Sequence, residues 1–309
     1  MSRSSVFTAA IAATALASTV TVGAQSSRAA SASMDELDGG KVPLTVLIDN
    51  DKVRVNLLTF PSGYQRTGHF ERRSDQLIVY LDDAQLQRLP DATAPANQGN
   101  ERGGQAAQCD PVHQGCGSVT PDGSAPADGM EPRGSLNWRA KGAYAPPIRV
   151  LRGYRALYIE LKHGTMTAPD PAAAQLPYEQ VTGGGAPARA LIDNDQVRAV
   201  LISFSKDFIR PGNSRRHYDT VIVYIDDGKL ADVGPPPAKY AVVKAFSHHP
   251  DARAVCDPIK DCDSVAPDGK WAHGPVTLRG TVAWHPKDGY VENLRIGQAY
   301  RALYVELKN

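Results

Sequence analysis

The chain says most of what it says twice. Residues 47–88 (LIDNDKVRVNLLTF through DQLIVYLDD) align without a gap onto residues 191–232 (LIDNDQVRAVLISF through DTVIVYIDD), identical at 19 of 42 positions. Residues 134–162, ending YRALYIELK, align onto residues 280–308, ending YRALYVELK, at 13 of 29. Solenoid and propeller repeats run only ~20 to 50 residues, so a repeat this long means two copies of a whole domain. The duplication is also an internal control. A position kept in both copies serves the shared fold, and one that differs marks chemistry the fold can do without.

The first 24 residues carry one basic side chain, Arg3, then an Ala/Val/Thr-rich apolar stretch ending in Val22-Gly23-Ala24. That pattern predicts a secretory signal peptide cut after Ala24, the apolar stretch being too short and too weakly hydrophobic for a spanning anchor. Residues 25–40 read as a flexible leader with too little apolar content to pack. The expected divisions are then domain 1 at 41–163, a Pro/Gly/Ala linker at 164–187 and domain 2 at 188–309. The 309-residue chain has 34 basic and 33 acidic side chains, and removal of Arg3 leaves 33 of each. Zero net charge gives no bulk attraction to nucleic acid or anionic lipid. The expected destination is the periplasm or the extracellular space, with no transmembrane segment after cleavage.

Each copy holds two cysteines, Cys109 and Cys116 in CDPVHQGC, Cys256 and Cys262 in CDPIKDC. In an exported chain, paired cysteines at matching places predict disulfides, here short clips inside a long loop. Zinc is the competing reading, but neither pair has the second CxxC or HxxxH needed for a tetrahedral site.

Strand signals dominate. Leu77, Val79 and Leu81 fall on one face of DQLIVYLDD, and Leu157, Ile159 and Leu161 on one face of RALYIELK, with Ala156, Tyr158 and Glu160 opposite. The second copy repeats this at Val221, Val223 and Ile225 and at Leu303, Val305 and Leu307. The polar DND of VLIDND reads as a hairpin turn. Each copy is thus expected to be all-β, with one strand face committed to a core. Residues 89–133 and 233–279 are long insertions of weak pattern, a length usually reserved for functional or mobile loops.

The order LIDNDKVRV, a Gly-containing loop, LIVYLDD, GSLNW and RALYIELK resembles the cupin superfamily, in both copies, and so a bicupin. The resemblance implies two tandem double-stranded β-helix (jelly-roll) domains, an architecture that short alternating strands with Gly/Pro turns also suit. Metal-dependent cupins bind a divalent cation through an HxH pair, an acid and a later His. At those places this chain has Glu71-Arg72-Arg73 and Arg215-Arg216-His217, Leu77 and Val221, and Ala145 and Val291. His217 is the one metal ligand at a matching position, which His113, His248, His249, His273 or His285 would have to complete.

Arg66 recurs as Arg210, Arg72 as Arg216 and Asp75 as Asp219. Two arginines near a barrel mouth suit a carboxylate or phosphate. An Arg72–Asp75 ion pair is the plain alternative. Tyr80/Tyr224, Trp138/Trp284, Tyr144/Tyr290 and Tyr158/Tyr304 would line a pocket for a planar or sugar-like ligand, or fill core volume. Tyr154/Tyr300 and Arg155/Arg301 read as fold determinants. No GxSxG elbow, P-loop or GxGxxG is present. The sequence therefore predicts an exported bicupin-like protein without a standard metal site, binding a small, anionic ligand or serving as a scaffold. The alternative is a metal-dependent dioxygenase or isomerase centred on His217.

Overall fold

The computed structural model describes residues 42–66, 70–90, 117–127, 129–142, 144–162, 185–210, 216–231, 264–272, 276–287 and 294–308. All four cysteines and His113, His248, His249 and His273 lie outside them. The described residues form strands and no helix, so none is long and apolar enough to cross a membrane.

The first half comprises β1 (Leu44–Asp49), β2 (Val53–Phe60), β3 (Gln65–Arg66), β4 (Phe70–Glu71), β5 (Gln76–Tyr80), β6 (Ala84–Arg88), β7 (Met130–Glu131), β8 (Leu136–Arg139), β9 (Tyr144–Ala145), β10 (Ile148–Arg152) and β11 (Tyr154–Leu161). Pairing is nested and antiparallel: β6 with β7, β5 with β8, β4 with β9, β3 with β10 and β2 with β11. The chain behaves as one long hairpin whose ribbon is then rolled, so that β11 also meets β5 and β10 also meets β6. The result is a five-stranded sheet, β1-β2-β11-β5-β8, and a four-stranded sheet, β3-β10-β6-β7, the strand order of a jelly roll.

The second half repeats it with β12 (Ala188–Asp193), β13 (Val197–Phe204), β14 (Ile209–Arg210), β15 (Asp219–Tyr224), β16 (Gly228–Ala231), β17 (Val276–Thr277), β18 (Val282–His285), β19 (Leu294–Gln298) and β20 (Tyr300–Leu307). Its sheets are β12-β13-β20-β15-β18 and β14-β19-β16-β17. The DND turns open both halves. Asn50 Oδ1 accepts from the backbone N–H of Lys52 and Val53 at 2.9 and 2.8 Å, and Asn194 Oδ1 does the same for Gln196 and Val197. Such an Asx turn closes a hairpin without outside help.

One expectation needs correcting. The alternation suggested one buried face per strand, but in the five-stranded sheets both faces are buried. Leu77, Val79, Leu157, Ile159 and Leu161 join Val221, Val223, Leu303, Val305 and Leu307 in a single apolar cluster drawn from both halves. The apolar face read as the barrel core is therefore the seam between barrels. The opposite face, with Leu58, Phe60, Ile78, Tyr80, Tyr154, Ala156 and Tyr158, forms the interior of the first barrel. Val200, Ile202, Phe204, Ile222, Tyr224, Tyr300 and Tyr304 do the same for the second. Trp138 and Trp284 belong to the seam, one residue out of phase with the interior.

The seam has approximate two-fold symmetry, as expected when two copies of one surface meet. β1 lies against β18, and its counterpart β12 lies against β8. Asp82 accepts from Arg155 of its own half at 2.9 and 3.1 Å, and its Oδ1 lies 3.2 Å from Arg279 of the other. Asp226 repeats this with Arg301 at 2.7 and 3.0 Å and with Arg133 at 3.3 Å. Gly134 and Gly280 have φ of 88° and 86°, which an L side chain rarely adopts. A Cβ at these positions would also stand 3.2 Å from Ile225 and 2.8 Å from Leu81, across the seam. Lys52 Nζ to Asp219 Oδ2, at 2.5 Å, is a cross-seam pair without this symmetry, because Gln196 stands at the matching place.

Burial opposes ionisation of Asp82 and Asp226, but the hydrogen bonds and charges of the flanking arginines outweigh it and hold both carboxyls below the ordinary aspartate value of 3.8. A lowered folded pKa adds stability that is complete above the unfolded value and is lost as pH falls through the folded one. We therefore expect the melting temperature to fall as pH drops below about 4, and the fall to shrink in a D82N/D226N variant. An equal fall in that variant would show that other carboxylates govern the acid limb.

Candidate functional site

The interior of the first barrel is open. A cavity of about 960 Å³ lies between its two sheets, within the size range of small-molecule sites. Its aromatic wall comes from Tyr80 on β5 and Tyr154 and Tyr158 on β11. Tyr154 is held by stacking on Phe60 at 4.7 Å between centroids and by a tilted contact with Tyr80 at 5.4 Å. Strand alternation sends these rings inward because their neighbours Val79, Leu157 and Ile159 point into the seam.

Four arginines line the polar side, Arg88 among them as an exposed residue and the other three as follows. Arg66, on β3, donates from Nε and Nη2 to the Pro146 carbonyl at 3.2 and 2.8 Å. Arg72, just beyond β4, is buried and donates to Gln76 Oε1. Arg139 ends β8 and faces the same space. Burial is the main reason that the Arg72 pKa drops to about 10, and the positive charges of Arg139 and Arg66 lower it further. Opposite them, Ser118 Oγ donates to Glu131 Oε1 at 2.6 Å and accepts from Asn137 Nδ2 at 2.8 Å. Burial pushes the Glu131 carboxyl up to about 7 despite the Ser118 hydrogen bond and the charge of Arg139.

The second barrel turns its charges on one another. Arg198 pairs with Glu306, both buried, and its guanidinium stands 5.6 Å from the Tyr218 ring centre. Arg210 Nη1 donates to the Tyr304 hydroxyl at 2.9 Å, and the Arg216 guanidinium lies 6.0 Å from the Tyr304 ring centre. Where the first barrel has Asn56, Asn137 and Glu131, the second has Val200, Ala283 and Thr277.

The structure thus brings Arg66 and Arg72 to one cavity and Arg210 and Arg216 to one tyrosine. Asp75 and Asp219 accept from the backbone N–H of Lys141 and Lys287 at 2.6 and 2.8 Å, tying down the segments after β8 and β18. His217 is exposed, between buried Arg216 and Tyr218. Among the described residues no three His, Cys, Asp or Glu side chains stand together in a way that would hold a metal ion. At the places where the cupin resemblance would put ligands, Arg73 and Arg215 are cationic and Leu77, Val221 and Ala145 are buried apolar side chains, none of which fits a divalent cation, and His217 has no second histidine at a matching place beside it. Sequence reasoning missed Arg139, Glu131 and Asn137.

No protein-family model matches the chain, and no curated protein matches it. Several solved structures are similar to it. A cupin 2 conserved barrel domain protein from Leptotrichia buccalis has 10% identity and a TM-score of 0.40 over 87% of this chain and 89% of its own. AerE from Microcystis aeruginosa has 6% identity and a TM-score of 0.38 over 83% and 88%. Oxalate decarboxylase from Bacillus subtilis, described with Mn(II) centres, has 10% identity and a TM-score of 0.37 over 84% and 69%. At these values the strand order of this chain, rather than the likeness, carries the assignment. It is an all-β protein of two jelly rolls in tandem. Its fold is bicupin-like.

Proposed function

We propose that this is an exported binding protein that holds a small carboxylate in the first barrel, while the second barrel serves as its structural partner. The observation that carries the reading is the convergence of Arg66, Arg72 and Arg139 on one tyrosine-walled cavity. Three like charges in a poorly solvated space repel one another, which is why the Arg72 pKa is lowered by its two neighbours. A bound anion relieves that repulsion, and a carboxylate can accept two parallel bonds from a guanidinium. In the second barrel Ala283, Thr277 and His285 stand where the first has Asn137, Glu131 and Arg139, which leaves that interior suited to packing.

Calorimetric titration of the mature protein with simple carboxylates tests this. Hydrogen bonds to charged groups contribute ~1.5–3 kcal/mol, so Arg139→Met is expected to weaken binding at least ~10-fold. Failure of any carboxylate to bind at millimolar concentration, or equal affinity in the Arg139→Met protein, would refute the reading. The pH dependence has a definite sign. Glu131 faces Arg139 on β8, Ser118 in the loop before β7 and Tyr80 on β5. Below about 7 its carboxyl is neutral, and above that it adds a negative charge to the cavity. Carboxylate affinity is therefore expected to fall as pH rises through about 7, and Glu131→Gln to flatten the profile.

A further inference from the structure

Of the buried side-chain atoms in the first half that lack a hydrogen-bond partner, two oxygens belong to residues that line the cavity. Asn137 is 4% exposed, and its Oδ1 has no hydrogen-bond partner. Glu131 Oε2 is likewise buried without one; it accepts when the carboxyl is ionised and donates when it is neutral, and a hydroxyl can answer either. Both residues line the cavity, and both are fixed by the same hydroxyl, since Ser118 Oγ accepts from Asn137 Nδ2 and donates to Glu131 Oε1. The Ser118 proton therefore fixes which end of the Asn137 amide is the acceptor left over. A buried acceptor without a donor costs ~1–3 kcal/mol, so two of them across one serine need an occupant.

We infer that these two oxygens form a hydroxyl-recognising subsite, and that the ligand is a polyhydroxy carboxylate such as a sugar acid. The inference rests on the carboxylate reading above and extends it. Leftover acceptors call for a ligand that donates hydrogen bonds. A donor that is itself cationic is disfavoured, because Arg66, Arg72 and Arg139 already crowd the space with positive charge. A hydroxyl meets both conditions. The tyrosine wall suits the C–H face of a polyol or sugar ring. The lack of these acceptors in the second barrel, where Ala283 and Thr277 replace Asn137 and Glu131, confines the subsite to the first.

The test compares three probes by calorimetry on the mature protein: gluconate, hexanoate and 6-aminohexanoate. All three carry one carboxylate on a six-carbon chain. Only gluconate adds hydroxyls, and only 6-aminohexanoate adds an ammonium. A site built to bond hydroxyls discriminates strongly against analogues that lack them. Gluconate is expected to bind at least ~10-fold more tightly than hexanoate, and 6-aminohexanoate more weakly than hexanoate. Asn137→Leu, with Ser118→Ala as a second variant that preserves core volume, is expected to bring the gluconate-to-hexanoate ratio within ~3-fold. Equal binding of gluconate and hexanoate, a preference for 6-aminohexanoate, or a ratio that survives both variants would overturn the subsite while leaving the carboxylate reading in place. Binding of none of the three removes both.

Discussion

Replacing Glu306 by Leu is expected to cost about 3–5 kcal/mol of unfolding free energy, measured by chemical denaturation. The side chains of Arg198 and Glu306 are 4% and 7% exposed, so the variant leaves a buried guanidinium without the carboxylate that accepts its hydrogen bond. Burial alone would lower the Arg198 pKa, yet it is raised, because the Glu306 hydrogen bond and charge outweigh burial. Removing both charges is a different matter. An apolar pair of similar volume in place of a buried ion pair is often neutral or stabilising, so R198M/E306L is expected to recover most of the loss. The first half supplies the control. Arg54, the counterpart of Arg198, pairs at 2.9 Å with Asp49 near the surface, and Glu160 accepts from Asn56 Nδ2 at 3.3 Å. Glu160→Leu should therefore cost less than Glu306→Leu. An equal cost in both halves would mean that burial of the second pair is not what matters.

Trp284→Ala is expected to cost about 3–5 kcal/mol as well, through the cavity it leaves. Trp284 is fully buried, and it sits in the seam, so its loss weakens the contact between barrels and not only its own barrel. The apolar cluster runs unbroken from β11 to β20, so the wild-type protein is expected to unfold in a single calorimetric transition and the variant in one transition at lower temperature. Two resolved transitions in the wild type, with only one moved by the substitution, would show that the seam does not couple the halves. Ile202, equally buried but in the interior of the second barrel, provides a comparison that leaves the seam intact.

Much of this was legible in the sequence, for reasons that particular residues make plain. The strand pattern, the DND hairpins and the jelly-roll class follow from alternation and turn chemistry, which are local. Alternation states that Leu157, Ile159 and Leu161 share a face, but not what lies beyond it. Both environments are apolar, so the seam and the barrel core cannot be told apart by period alone. The site was half legible. Arg66 and Arg72 stood out because both copies keep them, and both line the cavity. Arg139, Glu131 and Asn137 did not stand out because His285, Thr277 and Ala283 replace them. Agreement between copies selects what the fold requires. What separates the copies is where the first barrel's chemistry lies, and only the nested pairing of β5 with β8 and β6 with β7 brings those residues together.

The seam has a further consequence, which concerns tethering. Two folded modules on one chain meet at an effective concentration in the millimolar range when the connecting segment can span them. An association too weak to hold two separate chains together at cellular abundance is then enough. Bridges such as Asp82–Arg279 and Asp226–Arg133 can therefore be individually weak without the barrels parting. Cutting the connection between Lys162 and Gly185 would remove this advantage, and the dilution at which the two pieces separate would report the intrinsic affinity of the surface they share.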